Sequence, residues 1–316
     1  MTTPGHPADP VPAPGPAAPA PGYAVPGARL VLPDRVLDRW PAIMGVVNAS
    51  PESFSDGGDL VGVDAQVARA EELVEAGAAI IDVGGESGVT NRPPLDAAEE
   101  IDRVLPLVRR LVQRGMVVSV DTWKVPVARA VLDAGAQILN DVSGLRDPGL
   151  AEACAATGAA LVIMHTRAEP KKKEFPAYDD VVADVVTFLQ EKLALAESLG
   201  VPRDRIVLDP GPDFAKTPAQ TIAVLRDLEP VVALGRPVLL AISRKDFIGA
   251  LTRRRPRARD AGTLAAVGAG IDAGGAIVRV HDVAATNDYL TVRAALRGQL
   301  AVPDDLTLAE ELRRER

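Results

Sequence analysis

From about residue 40 to residue 298, short apolar runs alternate with longer amphipathic ones. The short runs fall at 43–48, 79–84, 117–121, 137–141, 160–165, 205–209, 237–243 and 276–281. Most are rich in Val and Ile, as expected of strands buried on both faces in a parallel sheet. The segments between them carry helical spacing, and three end on a glycine: 64–76 before Gly77, 125–134 before Gly135 and 148–157 before Gly158. Glycine just past a helix is the usual stop, because it enters the left-handed region freely. Eight strands alternating with helices predict an α/β fold, a (β/α)8 TIM barrel in a single domain. The alternative is a doubly wound open sheet, but no Gly-x-Gly-x-x-Gly turn follows an early strand.

The strand ends favour the barrel. Asn48 ends the first run, Glu86 and Ser87 follow the second, and Asp121 ends the third. Asn140 and Asp141 end the fourth, His165 the fifth and Asp209 the sixth. Ser243, Arg244 and Lys245 follow the seventh, and Arg279 and His281 end the eighth. A barrel gathers all of these at its C-terminal mouth, where active sites of this fold lie.

Length and composition set the outer limits. A barrel over residues 29–298 leaves two tails in the 316-residue chain. Prolines recur from Pro4 to Pro26, so 1–28 reads as a disordered Pro/Ala-rich tail, and 299–316 reads as a polar C-terminal tail. With 35 basic against 43 acidic residues the net charge is −8, which argues against nucleic acid or an anionic membrane as partner. No stretch is long and apolar enough to span a bilayer. A lone cysteine, Cys154, cannot form an internal disulfide, so the expected location is the cytoplasm.

Two groups at the mouth suggest ligand chemistry. Asp121, Asn140 and Asp209 are carboxylates and an amide facing inward, and such groups need donors. A flat heterocycle with amino and ring N–H groups would supply them, and so would a Lys or Arg inside the mouth. Arg279 and His281 alternate on one strand and share a face, with Asn48 on the next strand. Together they suit an anion such as a leaving diphosphate, with Mg²⁺ bridging its oxygens. No His/Cys cluster has zinc spacing. The Lys171–Lys173 and Arg253–Arg255 runs read as solvated surface.

The motifs add a resemblance. The stretch 44–58 (Met-Gly-Val-Val-Asn-Ala-Ser-Pro-Glu-Ser-Phe-Ser-Asp-Gly-Gly) and the run Asp82-Val-Gly-Gly-Glu86-Ser87 are two of its signatures. Further ones are Ser119-Val-Asp-Thr122, Asn140-Asp-Val-Ser-Gly144, Asp209-Pro-Gly211 with Phe214 and Lys216, Ser243-Arg-Lys245 and Arg279-Val-His-Asp282. In this order the set resembles the dihydropteroate synthases, pterin-binding barrel enzymes of folate biosynthesis. The resemblance implies a transferase that joins a pterin diphosphate to p-aminobenzoate with Mg²⁺, as a homodimer. It implies that Asp121, Asn140, Asp209 and Lys245 hold the pterin. Asn48, Arg279 and His281 would hold the diphosphate, with Asn48 also at the metal. Phe214 and Lys245 would shape the acceptor pocket with Thr90 and Arg92 of the loop after the second strand.

This sequence departs from the family pattern on the acceptor side. The loop 86–94 is longer than usual, Asp246 stands where the family carries serine after Ser-Arg-Lys, and Asp213 and Ala215 replace two glycines. An Asp246 carboxylate facing the acceptor would repel it unless it turned away as a helix N-cap. The competing readings are a pterin-binding paralogue with an altered or lost acceptor, and a corrinoid-type methyltransferase barrel. The latter is disfavoured by Arg279 and His281.

Overall fold

A computed structural model describes residues 29–49, 62–86 and 93–313. A two-stranded antiparallel hairpin comes first, β1 (Leu30–Val31) and β2 (Val36–Leu37). Eight parallel strands follow: β3 (Ala42–Asn48), β4 (Ile80–Gly84), β5 (Val118–Asp121), β6 (Ile138–Asp141), β7 (Ala160–Met164), β8 (Ile206–Asp209), β9 (Leu239–Leu240) and β10 (Ile277–Val280). They pair in the order β8-β7-β6-β5-β4-β3-β10-β9. The ring closes where Leu208 bridges Val238 in parallel and the Leu208 N–H donates to the Pro237 carbonyl at 3.0 Å. This is the predicted (β/α)8 barrel, with the predicted strand bounds met to within a residue or two except at β9, which is shorter.

Helices cover the outside. These are α1 (Val63–Glu75), α2 (Ala97–Gln113), α3 (Val125–Asp133), α4 (Gly149–Thr157) and α5 (Val181–Ser198) after β3 to β7. α6 (Pro218–Arg226) and the short α7 (Glu229–Val232) follow β8, α8 (Asp246–Thr252) and α9 (Asp260–Asp272) follow β9, and α10 (Val283–Leu296) follows β10. Local chemistry explains several boundaries. Thr217 and Gln220 form a reciprocal capping box at α6, and Asp282 accepts from the Ala285 N–H at 3.0 Å to start α10. Gly158 ends α4 in the left-handed conformation at φ 76°.

Alternation along the strands builds two apolar layers. Outward residues such as Ile81, Val83, Val118, Val120, Leu161 and Ile163 pack under the helices. Inward residues at the N-terminal ends of the strands, among them Ala42, Ile80, Val117, Ile138, Val207 and Ile277, fill the barrel floor. Higher up the same inward face turns polar: Asp82 follows Ile80, Asp121 follows Val117 and Ser119, Asn140 follows Ile138, Asp209 follows Val207 and Arg279 follows Ile277.

The hairpin was not foreseen as strands. Leu30, Leu32 and Trp40 join the floor residues, and all three are buried. Arg236 ties the hairpin down by donating to the Arg29 carbonyl at 2.7 Å. Trp40 is fully buried under the barrel. Trp40→Ala should therefore cost about 3–5 kcal/mol of stability, read as a lower urea midpoint.

Candidate active site

The centre of the mouth is a charged cluster on neighbouring inward positions. Arg279 Nε donates to Asp82 Oδ2 at 2.7 Å and Nη2 to Asp121 Oδ2 at 3.2 Å. Asp82 also accepts from Ser119 Oγ at 2.6 Å and from Asn140 Nδ2 at 3.3 Å. Asp82 side-chain atoms are fully buried, and those of Arg279 are one-fifth exposed. Burial works against the Arg279 charge, and Asp82 and Asp121 more than offset it, so the guanidinium stays a cation.

Burial pushes the Asp121 carboxyl up to about 7, with Arg279 opposing and Asp82 adding to the rise. Burial likewise raises Asp209 to about 6, despite the Gly211 N–H that donates to it at 2.7 Å. Lys245 belongs to the same field. Burial lowers its pKa, opposed by Asp213, then Asp209, and its charge is also felt by Arg279 and Asp121. The Lys245 ammonium lies 4.2 Å from the centre of the Phe214 ring, a cation–π contact.

His281 and Asn48 stand at the rim. His281 Nδ1 lies 2.9 Å from Ser243 Oγ. Burial, then Arg279 and Arg244, hold the imidazole down at about 4, so it is neutral near pH 7. It offers a hydrogen bond rather than a second cation. Asn48 ends β3 level with Gly84, and its side-chain oxygen would lie 3.7 Å from a Cβ on Gly84. Thr90 and Arg92 lie outside the described residues.

The structure thus bonds Arg279 directly to Asp121, links Asn140 to Arg279 through Asp82, and sets Lys245 on Phe214. Of the two partners that the sequence left open for Asp121, the structure shows the internal arginine. Asp82 was missed as a site residue. Its signal was present, an aspartate alternating with Ile80 inside an otherwise apolar strand. Lys216 was also missed. It is buried, donates to the Gly211 and Phe214 carbonyls at 3.0 and 3.2 Å, and lies 2.7 Å from His165 Nδ1. His165 Nε2 in turn lies 2.8 Å from Asp184 on α5. Burial depresses both groups, Lys216 to about 7 and His165 to about 3, so the ring is neutral and accepts from the lysine. This chain pins the loop after β8. A Cβ on Gly211, at φ 65°, would collide with the His165 carbonyl oxygen.

The lysine run needs a correction. Lys171 is largely buried and pairs with Glu86 at 2.9 Å, and Lys124 bridges Glu86 at 2.8 Å and Glu100 at 2.5 Å. Lys173 and Arg259 pair with Asp246 at 3.4 and 3.2 Å. The Asp246 carboxylate is taken up by these two cations, and it is the first residue of α8 rather than its N-cap, which is Lys245.

Comparison with known proteins now bears on this cluster. A family model described as "Pterin binding enzyme" matches residues 44–281. The chain belongs to the dihydropteroate synthase family. It is 42% identical over 243 residues to the Bacillus subtilis dihydropteroate synthase, covering 76% of this chain and 83% of that protein. It is also 42% identical to a probable bifunctional folylpolyglutamate synthase/dihydropteroate synthase of Haloferax volcanii, but spans only 29% of that longer protein. A Xanthomonas albilineans dihydropteroate synthase solved with 4-aminobenzoic acid superposes with a TM-score of 0.80 at 43% identity, covering 87% of this chain and 99% of that one.

Removing one partner of a buried ion pair strands the other. Asp82→Ala should lower stability by about 3 kcal/mol in urea unfolding, and the double variant Asp82→Leu/Arg279→Met should recover much of it.

Proposed function

We infer that this chain is a dihydropteroate synthase. It would condense 6-hydroxymethyl-7,8-dihydropterin diphosphate with p-aminobenzoate to give 7,8-dihydropteroate and diphosphate. The observation that carries the reading is the mouth itself, in which Asp121, Asn140, Asp209, Lys245 and Arg279 share one electrostatic field in a chain about 40% identical to such enzymes. The paralogue reading is not favoured, because Asp246 is drawn off by Arg259 and Lys173.

In this reading Asp121, Asn140 and Asp209 accept from and donate to the edge of the pterin, with Lys245 beside it. Arg279 then has two tasks. It holds Asp82 and Asp121 in place, and its remaining donor capacity faces the departing diphosphate with His281 and Asn48. The pterin CH₂–O bond breaks as the arylamine nitrogen forms the new C–N bond and loses a proton. The amine is a neutral nucleophile, so positioning and charge stabilisation, rather than a strong base, are what the residues provide. Phe214 and Lys245 wall the acceptor, and Thr90 and Arg92 are assigned to its carboxylate side.

Mg²⁺ is the metal we assign, with Asn48 as its protein ligand. One amide oxygen suits a cation that keeps several waters and takes the rest of its ligands from phosphate oxygens. Among the described residues no cluster of three or more His, Cys, Asp or Glu could form a closed cage. When bound, the ion would offset charge on the leaving diphosphate.

We further propose a homodimer through α6, α8 and α9. Ile222, Leu225, Phe247, Ile248 and Leu251 line an apolar groove of about 520 Å³ there, and Leu251 is 68% exposed. The cytoplasm is the assigned location, supported by the single buried cysteine. No helix among the described residues is long and apolar enough to cross a membrane.

The deciding assay is diphosphate release from the pterin diphosphate and Mg²⁺ with and without p-aminobenzoate. Release that depends on the acceptor is expected, and Arg279→Ala should lower it by about 10²-fold or more. Release that ignores p-aminobenzoate would sink the synthase reading. Pterin affinity should also depend on pH. Asp121 and Asp209 are acids with raised values of about 7 and about 6, so both are protonated below that range, where one oxygen becomes a donor, and present a full carboxylate to pterin N–H groups only above it. Affinity measured by calorimetry should rise from pH 5 to about 7.5 and then level off. Light scattering tests the dimer, which Leu251→Glu should convert to monomer.

A further inference from the structure

Where the family pattern has two glycines, Asp213 and Ala215 adopt the left-handed backbone, at φ 62° and 51°. Residues with a Cβ rarely adopt it, and Asp and Asn tolerate it best. Phe214 stands between them, its ring under the Lys245 ammonium. Asp213 does more than fill the turn. Its N–H donates to Thr221 Oγ1 at 3.0 Å, and Thr221 Oγ1 donates to Asp213 Oδ1 at 3.1 Å. The Phe247 N–H, two residues beyond Lys245, donates to Asp213 Oδ2 at 3.2 Å. One carboxylate therefore fastens the loop after β8 to both α6 and α8. A glycine could make only the backbone bond.

The charge matters as well as the bonds. Around Lys245, burial disfavours the ammonium, and Asp213 is the carboxylate that opposes this most, ahead of Asp209 and Asp121. Arg279 works the other way, and Lys216 and His281 also sense the Lys245 charge. We propose that Asp213 is a positioning residue that fixes Lys245 and the Phe214 ring as one wall of the acceptor pocket, and so sets affinity for the arylamine substrate without touching the reacting atoms. The acceptor half of this proposal rests on the synthase reading, whereas the coupling of the Asp213 charge to Lys245 does not.

The test compares the parent protein with Asp213→Asn, which keeps the shape and the left-handed tolerance but loses the charge. Two readouts are taken: the titration of Lys245, followed by NMR of isotope-labelled lysine Cε and assigned with Lys245→Arg, and the KM of each substrate. The expected result is a lower Lys245 midpoint and a KM for p-aminobenzoate raised about fivefold, with a clearly smaller rise for the pterin diphosphate, which Lys245 also borders but which Asp121, Asn140 and Asp209 hold as well. An unchanged midpoint, or KM values that rise together, would overturn the proposal, and a lower midpoint with both KM values unchanged would reduce Asp213 to a turn residue. If Asp213→Asn is unstable, Asp213→Gly suits the turn and carries the same readouts in the same direction. A parent protein that does not consume p-aminobenzoate would defeat the synthase reading, and the Lys245 titration would still decide the charge coupling.

Discussion

The mouth depends on a guanidinium held between two carboxylates from adjacent strands. Arg279 comes from the last strand, and Asp82 and Asp121 come from strands on the far side of β3. A side chain long enough to reach across the barrel thus knits together strands that do not touch. Desolvating three charged groups is costly, and their mutual attraction offsets that only while the geometry holds. Ser119 and Asn140 complete the hydrogen bonding of Asp82, so the cluster also aligns the amide that faces the mouth. Stability and ligand recognition therefore draw on the same atoms.

The barrel was legible because its signals are local and periodic. Val- and Ile-rich runs, helices stopped by Gly77, Gly135 and Gly158, and polar residues at successive strand ends all follow from the sequence. Asp121, Asn140, Asp209 and Arg279 were legible for the same reason, as polar breaks on an apolar inward face. What a single strand cannot reveal is pairing across the barrel. Asp82 looked like one letter of a motif, and only its register with Ser119 and the reach of Arg279 make it central. Lys171 looked like one of three surface lysines, yet a buried Glu86 on another loop recruits it. The floor hairpin escaped because two-residue strands carry no period. Thr90 and Arg92 fall outside the described residues.

The segments that depart from the family pattern show how such a pattern can be altered without being lost. Asp246 threatened repulsion on paper; in the structure its carboxylate pairs with Arg259 and Lys173. Asp213 and Ala215, which replace two glycines, adopt left-handed angles that glycine takes freely. Asp213 occupies one of them with a side chain whose oxygens find donors on two helices. Neither outcome could be read from residue type alone, since each depends on which partner stands within reach.

The hairpin and Trp40 fix the first described residues to the floor of the barrel. Any module joined ahead of Arg29 would therefore leave from the side opposite the mouth. Such a fusion, or an attachment to a solid support at that end, would leave the approach of substrates unobstructed by its first residues. The same sequence could sit at the downstream end of a longer polypeptide without its entrance being turned inward.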